Sequence, residues 1–355
     1  MQPLNFALFG AGNIGERHLR LAAEEPNCQI VAIADPAPHV GDLAAQFKAR
    51  HYVDPEQLLA NETELDGAII ATPNDQHASV GIACVERGIP ALVEKPVTDT
   101  LAAGDALIRA ADQHGVPLVV GHHRRFDPSI DVAREAIKSG RIGRLIAVEC
   151  LWSMRKHDTY YEADWRRNPP SGGPALINLI HDIDLLRFLC GDVVRLSADG
   201  GAVARDHAVE DTLAIHLRFA SGAVGTVLAT DAAPSPWGWE LGTGENPEIP
   251  ATGRNCYRFL GTEGSLALPR LELWRHAESS PSDWHQPIDS ETLASGNRSA
   301  LRDQLYHFCR VVRGETVPRV DGADGLSTLR TVLAIHQSLA QGQPIDLPGV
   351  DDQSR

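Results

Sequence analysis

Three glycines, an aspartate, a lysine and a histidine carry the chemistry this 355-residue chain can be expected to perform. Gly10, Gly12 and Gly15 stand at G-x-G-x-x-G spacing between the apolar run from Asn5 to Phe9 and a helical pattern opening at Glu16. In such a turn the first glycine permits the bend, the second lets backbone approach a pyrophosphate, and the third lets helix pack on strand. The N–H groups of the following helix are then free to meet an anion. Asp35, twenty positions after Gly15, closes the run Gln29–Ala34 where a carboxylate can grip an adenosine ribose. It would repel a 2′-phosphate by about 4 kcal/mol per charge pair at ~4.5 Å and an effective dielectric of ~20, so NAD is expected over NADP.

Lys95, within Glu94-Lys95-Pro96, follows another buried run and can donate to a substrate hydroxyl or carbonyl, with Glu94 as its partner. His181 is the candidate base, because imidazole titrates near neutrality and can take a hydroxyl proton as hydride leaves the carbinol carbon. Each residue has an ordinary reading too: a strand-end charge in solvent, a satisfied core histidine, acids at Asp182 and Asp184 that pair locally. His122 and His123 lack metal-ligand spacing, so no metal is expected. Trp165-Arg166-Arg167 and Trp237-Gly-Trp239-Glu240 can offer aromatic faces and charge to a polar ring, or can be core and interface residues.

The elements that must position these residues alternate regularly. Apolar runs at 67–71, 90–93 and 116–120 are short enough for buried parallel strands; helical patterns at 77–88 and 100–114 lie between them, and another at 40–48 precedes them. This rhythm predicts a doubly wound parallel sheet with Gly10–Gly15, Asp35, Thr72–Asn74, Glu94–Pro96 and His122–Arg125 at the carboxyl ends of its strands, where ligands bind. Past residue 126 the texture changes to a helix near 129–139, a long strand at 144–153, a hairpin at 213–229, and strands at 194–202, 255–260 and 265–273. A large, mostly antiparallel open sheet with helices on one face follows. Between these strands, Leu179, Ile183, Leu186 and Leu189 recur at helical spacing, which would put Ile177, His181 and Asp184 on a neighbouring face. Two amphipathic helices, stopped by Gly314 and Gly342, end the pattern before a polar tail at 351–355 that is expected to fray. The expected organisation is α/β: a Rossmann domain over 1–125 and an α/β substrate and oligomerisation domain over 126–355, with a C-terminal helix available to pack back on the first.

A formal charge of −15 argues against sequence-independent nucleic-acid binding, and 43% hydrophobic content sets the chain among globular proteins. Six scattered cysteines form no C-x-x-C pair, no apolar run approaches ~20 residues, and the first strand begins too near Met1 for a signal peptide. A cytoplasmic, reduced protein is expected.

Together the glycine turn, Ala71-Thr-Pro-Asn74 with His77, Glu94-Lys95-Pro96, Arg124-Arg125-Phe126, and the glycine turn leading to His181-Asp182-x-Asp184 resemble the glucose–fructose oxidoreductase and inositol dehydrogenase family over nearly the whole chain. The resemblance implies Lys95 and His181 as the catalytic pair. It also implies an NAD site of Gly10, Gly12, Asn13, Ile14, Gly15, Asp35, Thr72, Pro73, Asn74, His77, Glu94 and Lys95. The substrate, a cyclic polyol, sugar or sugar derivative, is expected at Lys95, His123, Arg124, Trp165, Arg166, Asn178, His181 and Trp237. Members similar to inositol dehydrogenase carry an acid four positions before the histidine, where this chain has Ile177. The alternatives are a cis-dihydrodiol dehydrogenase, suggested by Ser235-Pro-Trp-Gly-Trp239, and a non-catalytic NAD-binding sensor or scaffold. A homodimer or homotetramer is expected, since the alternating hairpin leaves a sheet with a face to bury.

Overall fold

The computed structural model describes residues 2–277 and 283–348, so the tail at 351–355 lies outside the described residues. The chain divides into two compact units, one of Met1–His123 with Ala300–Leu329 and the other of Arg124–Ser299 with Arg330–Arg355.

The first unit is built on six parallel strands: β1 (Leu4–Phe9), β2 (Cys28–Ala34), β3 (Arg50–Tyr52), β4 (Gly67–Ile70), β5 (Ala91–Val93) and β6 (Leu118–Val120). Their order is β3-β2-β1-β4-β5-β6, so the winding reverses between β1 and β4, where such sheets open a crevice at their carboxyl ends. The continuous apolar runs are explained by burial on both faces: Phe6 to Phe9, Ile69, Ile70, Leu92 and Val93 are all fully buried. Helix Asn13–Glu24 turns Gly15, His18, Leu19 and Ala22 inward at helical spacing. Thr100 caps helix Leu101–His114 by accepting from the Ala103 N–H at 3.3 Å, and Gly115 ends it in the left-handed region. Helix Ala300–Val312, from far along the chain, joins this core through Leu305, Phe308 and Cys309, with the Phe308 and Phe6 rings 5.1 Å apart. A Phe308→Ala cavity would cost about 3–5 kcal/mol.

The second unit holds nine strands: β7 (Leu145–Ser153), β8 (Val193–Gly201), β9 (Thr212–Phe219), β10 (Val224–Thr230), β11 (Tyr257–Gly261), β12 (Gly264–Leu268), β13 (Glu272–Arg275), β14 (Asp289–Thr292) and β15 (Ile345–Asp346). The order is β14-β13-β12-β11-β7-β10-β9-β8-β15, antiparallel except for the β7–β10 pair. The hairpin register sets Leu213, Ile215, Leu217 and Phe219 inside and their neighbours outside, as period-2 alternation requires. The strand read over 265–273 is two strands, because the chain turns at Pro269–Leu271 and Leu271 takes a φ of 58°. A proline without an N–H cannot continue a ladder.

Candidate active site

In the first unit the site begins with the glycine turn. Gly10 sits at φ 84° and a Cβ there would lie 2.5 Å from the Ala71 carbonyl oxygen, while a Cβ at Gly15 would lie 2.1 Å from that of Gly10. Gly10 is therefore demanded by its backbone angle and by the end of β4 packed against the turn, and Gly15 by packing of the turn on itself. Gly12 differs: a Cβ added to it meets nothing within 4 Å, so this face is open. Gly12 is also the N-cap of helix Asn13–Glu24 and no side chain caps the helix, which leaves its first-turn N–H groups directed at the open side. Asp35 borders it with a fixed carboxylate, accepting from the Ala11 N–H and the Ala37 N–H at 2.8 Å each. The buried Thr72 hydroxyl at the end of β4 has no partner among the described residues. An open glycine face, uncapped N–H groups, a held acid and an unsatisfied hydroxyl fit a phosphate-bearing dinucleotide.

His77, expected at the cofactor, is buried, and its ring bridges the Pro96 and Thr72 carbonyl oxygens at 2.9 Å each. Burial holds its pKa below the ordinary imidazole value although both carbonyls favour the charged ring. It ties the loop after β4 to the loop after β5. Glu94 is likewise buried: Oε1 accepts from His18 Nε2 at 2.8 Å and Oε2 from the Lys95 N–H at 3.2 Å. Burial opposes its charge, yet the His18 hydrogen bond and nearby positive charge outweigh it and hold the carboxyl down to about 2. His18, one turn into the phosphate-side helix, thus anchors the loop from which Lys95 emerges. The sequence signal for it was there, an inward-facing histidine three residues after Gly15, but its partner lies 76 positions away.

In the second unit the His181 helix is not regular. Ala175–Leu179 forms a π-helical turn that runs into α-helix Ile180–Cys190. The wider turn shifts the helical phase, so the simple four-residue spacing between Ile177 and His181 does not place them on one α-helical face. Glu210 accepts from the Ala175 N–H at 3.0 Å and so fixes where this turn begins. His181 is nearly buried, while Ile177 and Asn178 are half-buried.

The acids beside His181 are engaged by the two arginines of the Arg124-Arg125 pair. Arg125 grips Asp184 in a buried two-pronged pair of 2.7 and 2.6 Å. Arg124, expected at the substrate, is 2% exposed and donates to Glu245 at 3.0 and 2.8 Å, Glu240 at 2.7 Å and Asp182 at 3.4 Å. Glu240 also accepts from Trp152 Nε1 at 3.1 Å, and Glu245 from Trp239 Nε1 at 2.9 Å. Burial pushes Asp182 up to about 7; Arg124 and the Tyr257 hydroxyl pull it back, while Glu240 adds to the rise.

Asn178, the other expected substrate contact on this helix, accepts through Oδ1 from Lys156 Nζ at 2.6 Å. Lys156 was not among the sequence candidates. It is buried, lies 3.6 Å from Asp231 Oδ2, and sits over the Tyr160 and Trp152 rings at 4.3 and 5.6 Å. Burial pulls its ammonium down to about 8 against the opposing effect of Asp231. Asp231 also accepts from the Tyr161 hydroxyl and from Arg205. Trp165 and Trp237 are 51% and 42% exposed, and Arg166 lies over the Tyr160 and Trp165 rings at 4.1 and 5.3 Å. His123 and Lys95 belong to the first unit; Arg124, Asn178 and His181 belong to the second. Among the described residues no group of three or more histidine, cysteine or acidic side chains is arranged to hold a metal ion, and no helix is long and apolar enough to cross a membrane.

Comparison with known proteins places these features. Residues 4–122 match the model of an oxidoreductase family with an NAD-binding Rossmann fold, and residues 130–267 match the GFO/IDH/MocA C-terminal domain. Inositol 2-dehydrogenase of Rhizobium meliloti (strain 1021) is 30% identical, over 97% of this chain and 99% of that protein. The scyllo-inositol 2-dehydrogenase (NAD(+)) of Bacillus subtilis is 26% identical, over 96% of this chain and 95% of its own length. Among solved structures, the WlbA dehydrogenase from Bordetella pertussis, in complex with NADH and UDP-GlcNAcA, superposes with a TM-score of 0.78 at 25% identity, covering 98% of this chain and 99% of that one.

Proposed function

The chain belongs to the GFO/IDH/MocA family of oxidoreductases, and from that membership we propose that it is an NAD-dependent dehydrogenase of a secondary alcohol in a cyclic polyol, sugar or sugar derivative. The observation that carries the reading is the open face of the glycine turn at Gly12, bounded by uncapped helix N–H groups and the fixed carboxylate of Asp35. A dinucleotide held there would supply the acceptor for the hydride released when the alcohol carbon becomes a carbonyl. The backbone at Gly12 to Gly15 would hold the pyrophosphate, Asp35 the adenosine ribose, and the Thr72 hydroxyl a further polar group of the dinucleotide. His77 and Glu94 act on the cofactor side by holding the two loops in place.

Lys95 orients and polarises the reacting oxygen, and His181 takes its proton; holding both reactants in attack geometry supplies much of the acceleration. His123, Trp165, Arg166, Asn178 and Trp237 are assigned to the substrate, whereas Arg124 is assigned to the support of the His181 helix. The named relatives, dehydrogenases of inositols, favour neither the dihydrodiol nor the non-catalytic alternative. Six free, buried cysteines fit a reduced, cytoplasmic setting.

We assign the outer sheet face to self-association, as a homodimer or homotetramer. Strand register brings Leu151, Val224, Leu228, Leu260 and Trp274 onto that face, and the last four are 37–50% exposed. Light scattering showing a monomer at working concentration would refute it.

The deciding experiment follows NADH formation at 340 nm with purified protein across cyclitols, aldoses, sugar acids and dihydrodiols. Turnover of a cyclitol or sugar is expected, with a lower KM for NAD than for NADP. Lys95→Ala is expected to lower kcat by about 10²-fold or more; a loss of only a few-fold would overturn its role. Gly12→Val is expected to leave the melting temperature within about 2 °C yet weaken NAD binding by tenfold or more, since the added side chain enters open space that the cofactor needs.

A further inference from the structure

We propose that Lys156 makes the substrate surface of the His181 helix selective for a sugar acid, an alcohol substrate bearing a carboxylate, over its neutral counterpart. The proposal rests on the dehydrogenase reading and adds the charge of the substrate to it.

The helix that carries His181 offers no available negative charge. Asp184 is taken by Arg125 and Asp182 by Arg124 and the Tyr257 hydroxyl, position 177 is isoleucine, and Asn178 is neutral. What stands against Asn178 is an ammonium. An ammonium has three N–H donors; Lys156 gives one to Asn178 at 2.6 Å, leans on Asp231 at 3.6 Å, and has no third acceptor among the described residues. Asp231 is divided as well, since it accepts from Arg205 and the Tyr161 hydroxyl. A buried ammonium and a half-buried guanidinium thus share one carboxylate. Glu240, a further acid whose charge acts on Lys156, is turned to Arg124 and Trp152 Nε1.

An ammonium in such surroundings loses hydration that only a hydrogen-bonded anion restores, and its depressed pKa reports that loss. The same two side chains that hold Asp231, Tyr161 and Arg205, line a pocket of about 410 Å³ with Arg155, Arg167 and His207. Asp158, Glu162 and Asp206 also line it and balance its three arginines. A carboxylate hydrogen-bonded to Lys156 Nζ would complete the third donor and relieve the shared Asp231. A neutral hydroxymethyl group in the same position would accept one hydrogen bond without neutralising anything.

The test compares kcat/KM for NAD reduction in matched pairs that differ by a carboxylate in place of a hydroxymethyl group, D-glucuronate with D-glucose and D-galacturonate with D-galactose. Wild type is expected to favour the acid by tenfold or more in at least one pair. Lys156→Met is expected to bring that ratio below about twofold, and Lys156→Arg to keep it above about fivefold. A structural role alone would lower both members of a pair together and leave the ratio unmoved. Wild-type preference for the neutral member in every pair overturns the proposal without any variant. A ratio unchanged in Lys156→Met overturns the assignment to this residue. NADH formation with no sugar, acid or cyclitol overturns the dehydrogenase reading itself, a result distinguishable from turnover confined to neutral compounds.

Discussion

Glu94 and Asp182 are both almost fully buried carboxylates adjacent in sequence to a proposed catalytic residue, Lys95 or His181, one in each unit, and their acidities are moved in opposite directions. Around Glu94 the neighbours are donors: His18 Nε2 and the Lys95 N–H. Around Asp182 a single guanidinium is divided among three acids, and Glu240 and Glu245 take its shorter hydrogen bonds. Burial is therefore not what sets the sign. The ratio of donors to competing anions is, and the two regions use it for different ends: a permanently charged anchor for the Lys95 loop, and a carboxyl that can hold a proton near neutrality beside His181.

The largest way to break this comparison is to remove the shared cation. Arg124→Met leaves Asp182, Glu240 and Glu245 without their guanidinium and is expected to cost about 3–5 kcal/mol of stability in urea unfolding. A loss under about 1 kcal/mol would mean that the acids are solvated or protonated without it. The next effect lies on the Glu94 side. Its folded pKa of about 2 is below its ordinary 4.5, so its stabilisation is present above pH 4.5 and is lost as pH falls toward 2. That limb is worth roughly 3 kcal/mol, and Glu94→Gln should flatten it. Thermal melts between pH 5 and 2 with equal slopes in both proteins would contradict the assignment. Asp182 has the reverse sign: its folded pKa of about 7 exceeds 3.8, so its contribution is lost as pH rises through that window. The smallest effect sharpens the cause. Glu240→Gln removes one competing anion and should lower the Asp182 titration midpoint by about 1 unit, read by carboxyl carbon NMR. No movement would shift the cause to burial alone.

Much of the first unit was legible because its determinants are local. Gly10 must take a φ of 84° and Gly15 must clear the Gly10 carbonyl within one turn of chain, and the runs at 67–71 and 90–93 had to be buried strands. The short strands Arg50–Tyr52 and Ile345–Asp346 were not legible, since three and two residues carry no periodicity. Helical spacing found the His181 helix but not its π-helical turn, which depends on Glu210 holding the Ala175 N–H from 35 positions away. Arg124 was expected at the substrate from the resemblance of Arg124-Arg125-Phe126 to the family. Its three carboxylate partners lie 58 to 121 positions away.

The sequence by itself determined the doubly wound sheet, the glycine turn and the acid after β2, because strand period, turn sterics and charge act over a few residues. Only the tertiary structure decided that His18 steadies Glu94, that Arg124 belongs to the interior, and that Lys156 stands against Asn178. Those pairings join residues 22 to 121 positions apart, and which donor meets which acceptor follows from packing rather than from any local propensity.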